Sequence, residues 1–170
     1  MNQPSTLYEL FYQVMRLHFK TAHILFEKIG LYPGQPVLLF TLNKKDGQSQ
    51  KELAKALNIK PATITVMIKR MSKAGLIEKK QNENDKRQSQ IYLTEKGKEI
   101  VKHVDEIVQR INNQCFSNLT KEEEEILRQL FCKIKNNLIE IIQTETKGKS
   151  INCFCEISAI EKDFRSVKEC

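Results

Sequence analysis

Between Ser49 and Gly97 the chain is punctuated so densely that few folds can accommodate it. Ser49-Gln50-Lys51-Glu52 has the form of a capping box: the serine hydroxyl accepts the Glu52 amide and the carboxylate reaches back, so a helix starts at Ser49. Leu53, Ala54 and Leu57 line one face of it. Asn58-Ile59-Lys60 then leads to Pro61, whose fixed φ and missing N–H suit the first position of a second helix. Ile64, Met67, Ile68 and Met71 form the inward stripe of that helix to Ala74, and Gly75 is its natural C-cap. Strand character follows in Leu76 to Gln81, then a polar loop from Asn82 to Lys86. The return strand, Gln88 to Leu93, puts Ser89, Ile91 and Leu93 on one face and Gln88, Gln90 and Tyr92 on the other. Thr94 caps what comes next.

Outside this stretch the signals are helical. Phe11, Met15, His18, Ala22, Leu25 and Ile29 recur at helical spacing from Thr6 to Ile29, ended by Gly30, and Gln35 to Leu42 reads as a short apolar helix closed by the turn-rich NKKDGQ. A long helix after Thr94 carries Ile100, Val101, Val104, Ile107, Val108, Ile111 and Cys115 on one side. Thr120-Lys121-Glu122-Glu123 is a second capping box, with Glu122 to Glu125 where the helix dipole favours acids. Its helix bears Ile126, Leu127, Leu130, Phe131, Ile134, Leu138 and Ile141. Lys147-Gly148-Lys149-Ser150 interrupts the pattern, and Ile151, Phe154, Ile157, Phe164 and Val167 beyond it are compatible with one more amphipathic helix.

Three short helices followed directly by a hairpin make a winged helix-turn-helix, so the expected fold is mainly α, with long N- and C-terminal helices and a small β-hairpin wing. The expected organisation is 1–34 for an N-terminal dimerisation helix, 35–97 for the winged lobe, 98–146 for long dimerisation helices and 147–170 for a C-terminal extension. The first and last helices are too apolar to be left without a packing surface, which calls for a second copy of the chain.

Charge points to the partner. Of a net +7, much is concentrated between Lys60 and Gln90, where eight basic residues face three acidic ones. Such a field suits a polyanion, chiefly nucleic acid; a solvated basic face, or one that binds an acidic protein, is the competing reading. An α-helix fits the major groove of double-stranded DNA. The residues left outward on the second helix are Ala62, Thr63, Thr65, Val66, Lys69, Arg70 and Lys73, with Lys60 and Pro61 at its start. Thr65 and Val66 suit base edges, including thymine methyls, while Lys69, Arg70 and Lys73 suit phosphates or guanine. At the hairpin tip, Arg87 suits insertion into a narrow minor groove, Lys86 a phosphate, and Asp85 an ion pair that orients the arginine or braces the helix.

The wing DKRQSQIYLTEKG resembles that of the MarR (multiple-antibiotic-resistance regulator) family of bacterial dimeric transcription factors, through Asp85, Arg87, Leu93, Thr94 and Gly97. PATITVMIKRMSKAGLI is similar to the family's recognition helix through Thr63, Thr65, Arg70, Gly75 and Leu76, and LTKEEEEILRQLFCKIKNNL to its final dimerisation helix. The resemblance spans Leu7 to Ile142. It implies a homodimer held by the first and last helices, both wings on DNA, and repression relieved by an effector. A twofold dimer reads a pseudo-palindrome with half-sites about 34–36 Å apart. Lys60 stands where family members usually carry a small capping residue, and Val66 and Lys69 replace residues that are often Arg and Asp, so an operator sequence does not carry over.

The resemblance also suggests a small aromatic or anionic effector between the first helix and the DNA-binding lobe, near Phe11, His18, Phe19 and Tyr32. Oxidant sensing is the alternative. The five cysteines are an odd count with no regular spacing, which argues against a disulfide framework and for a reducing, cytoplasmic location. Cys115 and Cys132 fall on apolar helix faces and read as buried small hydrophobes, leaving Cys153, Cys155 and Cys170 as candidates for oxidation or soft-metal binding. His18 and His23 are spaced i, i+5, not the i, i+4 of a helical ligand pair, so no metal site is expected, nor a cofactor. There is no nucleophile elbow, P-loop or HExxH to support an enzyme, and no apolar run long enough to span a membrane.

Overall fold

The computed structural model describes residues 6–81 and 89–146. In chain order these form α1 (Leu7–Glu27), α2 (Gln35–Lys44), β1 (Gln48–Ser49), α3 (Gln50–Ala56), α4 (Pro61–Lys73), β2 (Ile77–Gln81), β3 (Ser89–Leu93), α5 (Glu95–Cys115) and α6 (Lys121–Glu145). The expected fold class holds: helices with a winged lobe at the centre.

Local chemistry sets the helix starts. The boxes at Ser49–Glu52 and Thr120–Glu123 form, and a third, at Thr6–Glu9, opens α1. Each satisfies two amides that the first turn would leave without a partner. Thr94 starts α5 and also joins elements. Its hydroxyl accepts from Gly97 N at 3.0 Å and donates to Gly75 O at 2.6 Å, while its own N–H donates to Leu76 O at 3.1 Å. A Cβ at Gly97 would lie 2.1 Å from Leu76 O, so only glycine lets α5 approach the α4–β2 junction this closely. The Leu-Thr-x-x-Gly signature is thus a clamp between wing and helix.

The sheet has three strands rather than the two of a plain hairpin, in the order β1-β3-β2, all antiparallel. The stretch read as a closing turn contributes β1, with Gln48 opposite Ile91. Asp46 holds the junction, its carboxylate accepting from Gly47 N at 3.1 Å and from Leu93 N at 3.0 Å. Buried Gln48 donates from Nε2 to Lys45 O at 2.7 Å and to Thr41 O at 3.1 Å, the latter shared with the Lys45 N–H, and so ties β1 to the end of α2.

One apolar core sits under the wing. Leu38, Leu39 and Leu42 of α2, Leu53 of α3, Ile64 and Met71 of α4, Ile91 of β3 and Val104 of α5 are all buried to 1% exposure or less. Each such side chain contributes on the order of 1.5–3 kcal/mol by leaving water. By contrast no residue of α1 or α6 is buried.

Three expectations fail here. His18, placed on the α1 stripe, is exposed, whereas Phe11, Met15, Ala22, Leu25 and Ile29 are half-buried as read. Cys115 is an exposed free thiol, not a buried one, because the last turn of α5 has left the core. Cys132 is half-buried and disulfide-bonded, so it is not a plain apolar thiol. The proposed extra helix in the C-terminal extension lies outside the described residues.

Candidate nucleic-acid interface

The turn from α3 to α4 is made by Asn58, whose φ of +50° is a left-handed conformation that asparagine tolerates better than most side chains. Ile59 N then donates to Ala54 O at 3.1 Å, closing the end of α3. At the other end of α3, Ser49 N and Ser49 Oγ donate to Glu52 Oε2 at 2.8 and 2.7 Å. The Ser49 hydroxyl, followed by the Ser49 amide, holds the Glu52 carboxyl below the usual carboxylate range.

α4 keeps Ile64, Ile68 and Met71 in the core and half-buries Met67. Pro61, Ala62, Thr63, Thr65, Val66, Lys69, Arg70 and Lys73 are exposed, as is Lys60 before them. Lys60 is the N-cap with an extended backbone and no side-chain hydrogen bond, so the first amides of α4 lack a side-chain cap. Along the helix, Ala62, Thr65 and Val66 occupy the N-terminal half, and Lys69, Arg70 and Lys73 continue the same side one and two turns on.

Sequence reasoning did not single out two further groups. Lys80 on β2 sits 2.8 Å from Glu78 and 5.2 Å from the centroid of the Tyr92 ring, fixing one ammonium on the wing face. The Glu78 carboxylate, first as hydrogen-bond acceptor and then as a charge, raises the Lys80 pKa above its ordinary value. The alternation that put Gln90 and Tyr92 on one strand face carried that signal; the cross-strand register with Glu78 and Lys80 completes it. Gln50 is the second group. Its Nε2 donates to Thr65 Oγ1 across the α3–α4 turn, and only a residue-to-residue register between the two helices could have exposed it. Asp85, Lys86 and Arg87, the expected wing tip, lie outside the described residues.

A groove of about 420 Å³ runs beside α4, lined by Tyr32, Pro33, Gln35, Ala62, Thr63, Val66, Met67 and Arg70. Gly34, with φ of +84°, makes room for it: a Cβ there would fall 2.7 Å from the Met67 methyl. Tyr32 is the member of the expected effector group that lines this groove. Phe11 is half-buried on α1, and His18 and Phe19 are exposed together, their rings edge-on at 5.7 Å. Cys153, Cys155 and Cys170 lie outside the described residues, and among the described residues no cluster of His, Cys, Asp and Glu could hold a metal.

Fold and interface define a winged helix-turn-helix protein. Residues 31–89 match the model of the MarR family. The HTH-type transcriptional regulator YdgJ of Bacillus subtilis (strain 168) is 26% identical over 134 residues, which cover 78% of this chain and 81% of YdgJ. A crystal structure of a MarR mutant from E. coli complexed with operator DNA is 25% identical, covers 75% of this chain and 92% of its own, and superposes with a TM-score of 0.63. A MepR mutant of S. aureus, 24% identical, shares the fold at a TM-score of 0.73, covering 79% of this chain and 99% of its own. Over residues 31–89 the chain is thus similar to the MarR family, and over most of its length to transcriptional regulators of that fold. Among the described residues no helix is long and apolar enough to cross a membrane.

Proposed function

We propose that this protein is a cytoplasmic homodimer that binds a pseudo-palindromic operator in double-stranded DNA and represses transcription until a small aromatic or anionic effector releases it. The observation that carries the DNA reading is the row of outward residues on α4. It is apolar and hydroxylic at its start and cationic beyond, and the wing strand β2 adds the exposed Lys79 and Lys80. An α-helix with that row fits the major groove, Thr65 and Val66 toward bases and Lys69, Arg70 and Lys73 toward phosphates or guanine. The start of α4 has no side-chain cap, so its positive end, with the Ala62 amide, suits a phosphate. Arg87 and Lys86, with Asp85, complete the grip at the minor groove. In this reading 35–97 is the DNA-binding lobe, and 1–34 and 98–146 carry the dimer. The solved complex of a MarR mutant with operator DNA supports the same mode here.

The apolar faces of α1 and α6 support the homodimer. Leu7, Leu10, Val14 and Leu17 on α1, and Ile126, Leu130, Leu138 and Ile141 on α6, are all exposed. The groove supports an effector reading: it shares Arg70 with the DNA face, so an anion held there competes with a phosphate or guanine for the same guanidinium.

Selection of bound sequences from random DNA, followed by titration of the winning site over a range of salt, tests this. The expected result is a twofold-related site whose affinity falls steeply with salt, with a log–log slope of about −0.9 per phosphate neutralised. Arg87→Ala weakens binding about tenfold or more and leaves the oligomeric state intact. A protein that selects nothing, or an Arg87→Ala variant as tight as its parent at matched salt, contradicts the assignment.

A further inference from the structure

Thr65 sits in the middle of the outward face of α4, yet its hydroxyl is already committed. The hydroxyl donates its proton to Pro61 O at 2.8 Å and accepts from Gln50 Nε2. A threonine hydroxyl has one proton and two lone pairs, so the proton and one lone pair are spent within the protein. The branch of this exposed side chain left untied is its methyl. Ala62, one turn before Thr65, and Val66, the next residue and one turn beyond Ala62, are both exposed and add two more apolar groups. Backbone bonding to the i−4 carbonyl alone would leave the oxygen accessible; the Gln50 amide, arriving from the first residue of α3, is what covers it.

We propose that Gln50 is a specificity-determining positioning residue that makes Thr65 a reader of thymine methyl groups. The inference rests on the DNA-binding reading above. Thymine alone presents a methyl group in the major groove, whereas a free threonine hydroxyl can pair with several base edges and discriminates weakly. By holding Oγ1 from the side, Gln50 converts an ambiguous hydrogen-bonding group into an apolar one. It does so without touching a base.

The test uses the full chain and the sequence selected from random DNA, with each thymine replaced in turn by deoxyuridine, which keeps every hydrogen-bonding group and lacks the 5-methyl. At one thymine of each half-site the parent loses about fourfold in affinity, the amount expected for one buried methyl. Thr65→Val, which keeps a methyl and drops the hydroxyl, keeps that penalty at the same position. Thr65→Ser, which keeps the hydroxyl and drops the methyl, binds the thymine and uracil sites alike there. Gln50→Ala brings the thymine-to-uracil ratio at that position toward one and leaves salt-dependent binding to unrelated DNA unchanged, a pattern that a general loss of lobe structure does not produce. The proposal is overturned by a parent indifferent to uracil at every position, by Thr65→Val losing the penalty while Thr65→Ser retains it, or by Gln50→Ala keeping the full ratio. A protein that binds a selected site but ignores the 5-methyl loses this inference alone. A protein that ignores DNA at low salt loses the functional reading with it.

Discussion

Leu53 on α3 and Leu138 on α6 are both leucines on the apolar faces of helices opened by a capping box, yet Leu53 is 0% exposed and Leu138 is 49% exposed. The same holds across the two regions they represent. In the winged lobe every apolar stripe finds a counterpart within the chain: α2, α3, α4, β3 and α5 close over one core. In the terminal helices the stripes are as regular, but the inward side of α1 is only half-buried, and α6 runs from Lys121 to Glu145 without a buried residue among the described residues. A helix of that length gains most of its stability from packing and not from propensity. The lobe closes over its own core, whereas α6 keeps its apolar side exposed to the rest of the described residues.

The strongest way to break this contrast is to cut into each half. Leu53→Ala opens a cavity in a closed core and costs about 2–5 kcal/mol in unfolding free energy, read by denaturant titration. A cost below about 1 kcal/mol would mean that the lobe is not tightly packed. Leu138→Asp puts a charge on a face that a partner is expected to cover. It weakens self-association about a hundredfold in sedimentation, an effect of about 2–3 kcal/mol. The concentration dependence of the melting temperature goes with it. If Leu138→Asp leaves the oligomeric state untouched, the terminal helices are not the contact surface.

Smaller changes sharpen the picture inside the lobe. Ser49→Ala removes the cap of α3 and costs about 1 kcal/mol. The effect depends on acid. Glu52 has a folded pKa below its ordinary value, so its contribution is present above the unfolded value of about 4.3 and is lost as pH falls through the folded one. The gap between parent and Ser49→Ala therefore narrows below about pH 4, measured as unfolding free energy against pH. Lys69→Ala sits at the opposite extreme. It changes stability by less than about 0.5 kcal/mol, because Lys69 is exposed, but reduces the salt slope of DNA binding by about one. An unchanged slope removes Lys69 from the phosphate contacts.

Much of the candidate interface was legible before any coordinates. The boundaries of α3 and α4, the inward Ile64, Ile68 and Met71, the outward row from Ala62 to Lys73 and the uncapped start at Lys60 all follow from residues a turn or less apart. The misses are of another kind. β1 is only two residues long and exists because Ile91 and Gln90 lie opposite it, more than forty positions away. Gln48 is buried with its amide on Thr41 O and Lys45 O at the end of α2, His18 is exposed between the half-buried Met15 and Ala22, Cys115 is exposed because the last turn of α5 has left the core, and Gln50 meets Thr65 only when α3 lies across α4.

The sequence by itself determined where helices and strands begin, which side of each is apolar, and where the positive charge gathers. Capping bonds, periodic stripes and charge density are closed within three or four residues of their origin, so no long-range arrangement is needed to read them. Tertiary structure alone decided which apolar side is covered by its own chain, that Tyr32 and Arg70 share a groove, and that the Thr65 hydroxyl is taken. Each of those depends on where distant segments return to, and that is settled by the packing of the whole core, not by any one stretch of chain.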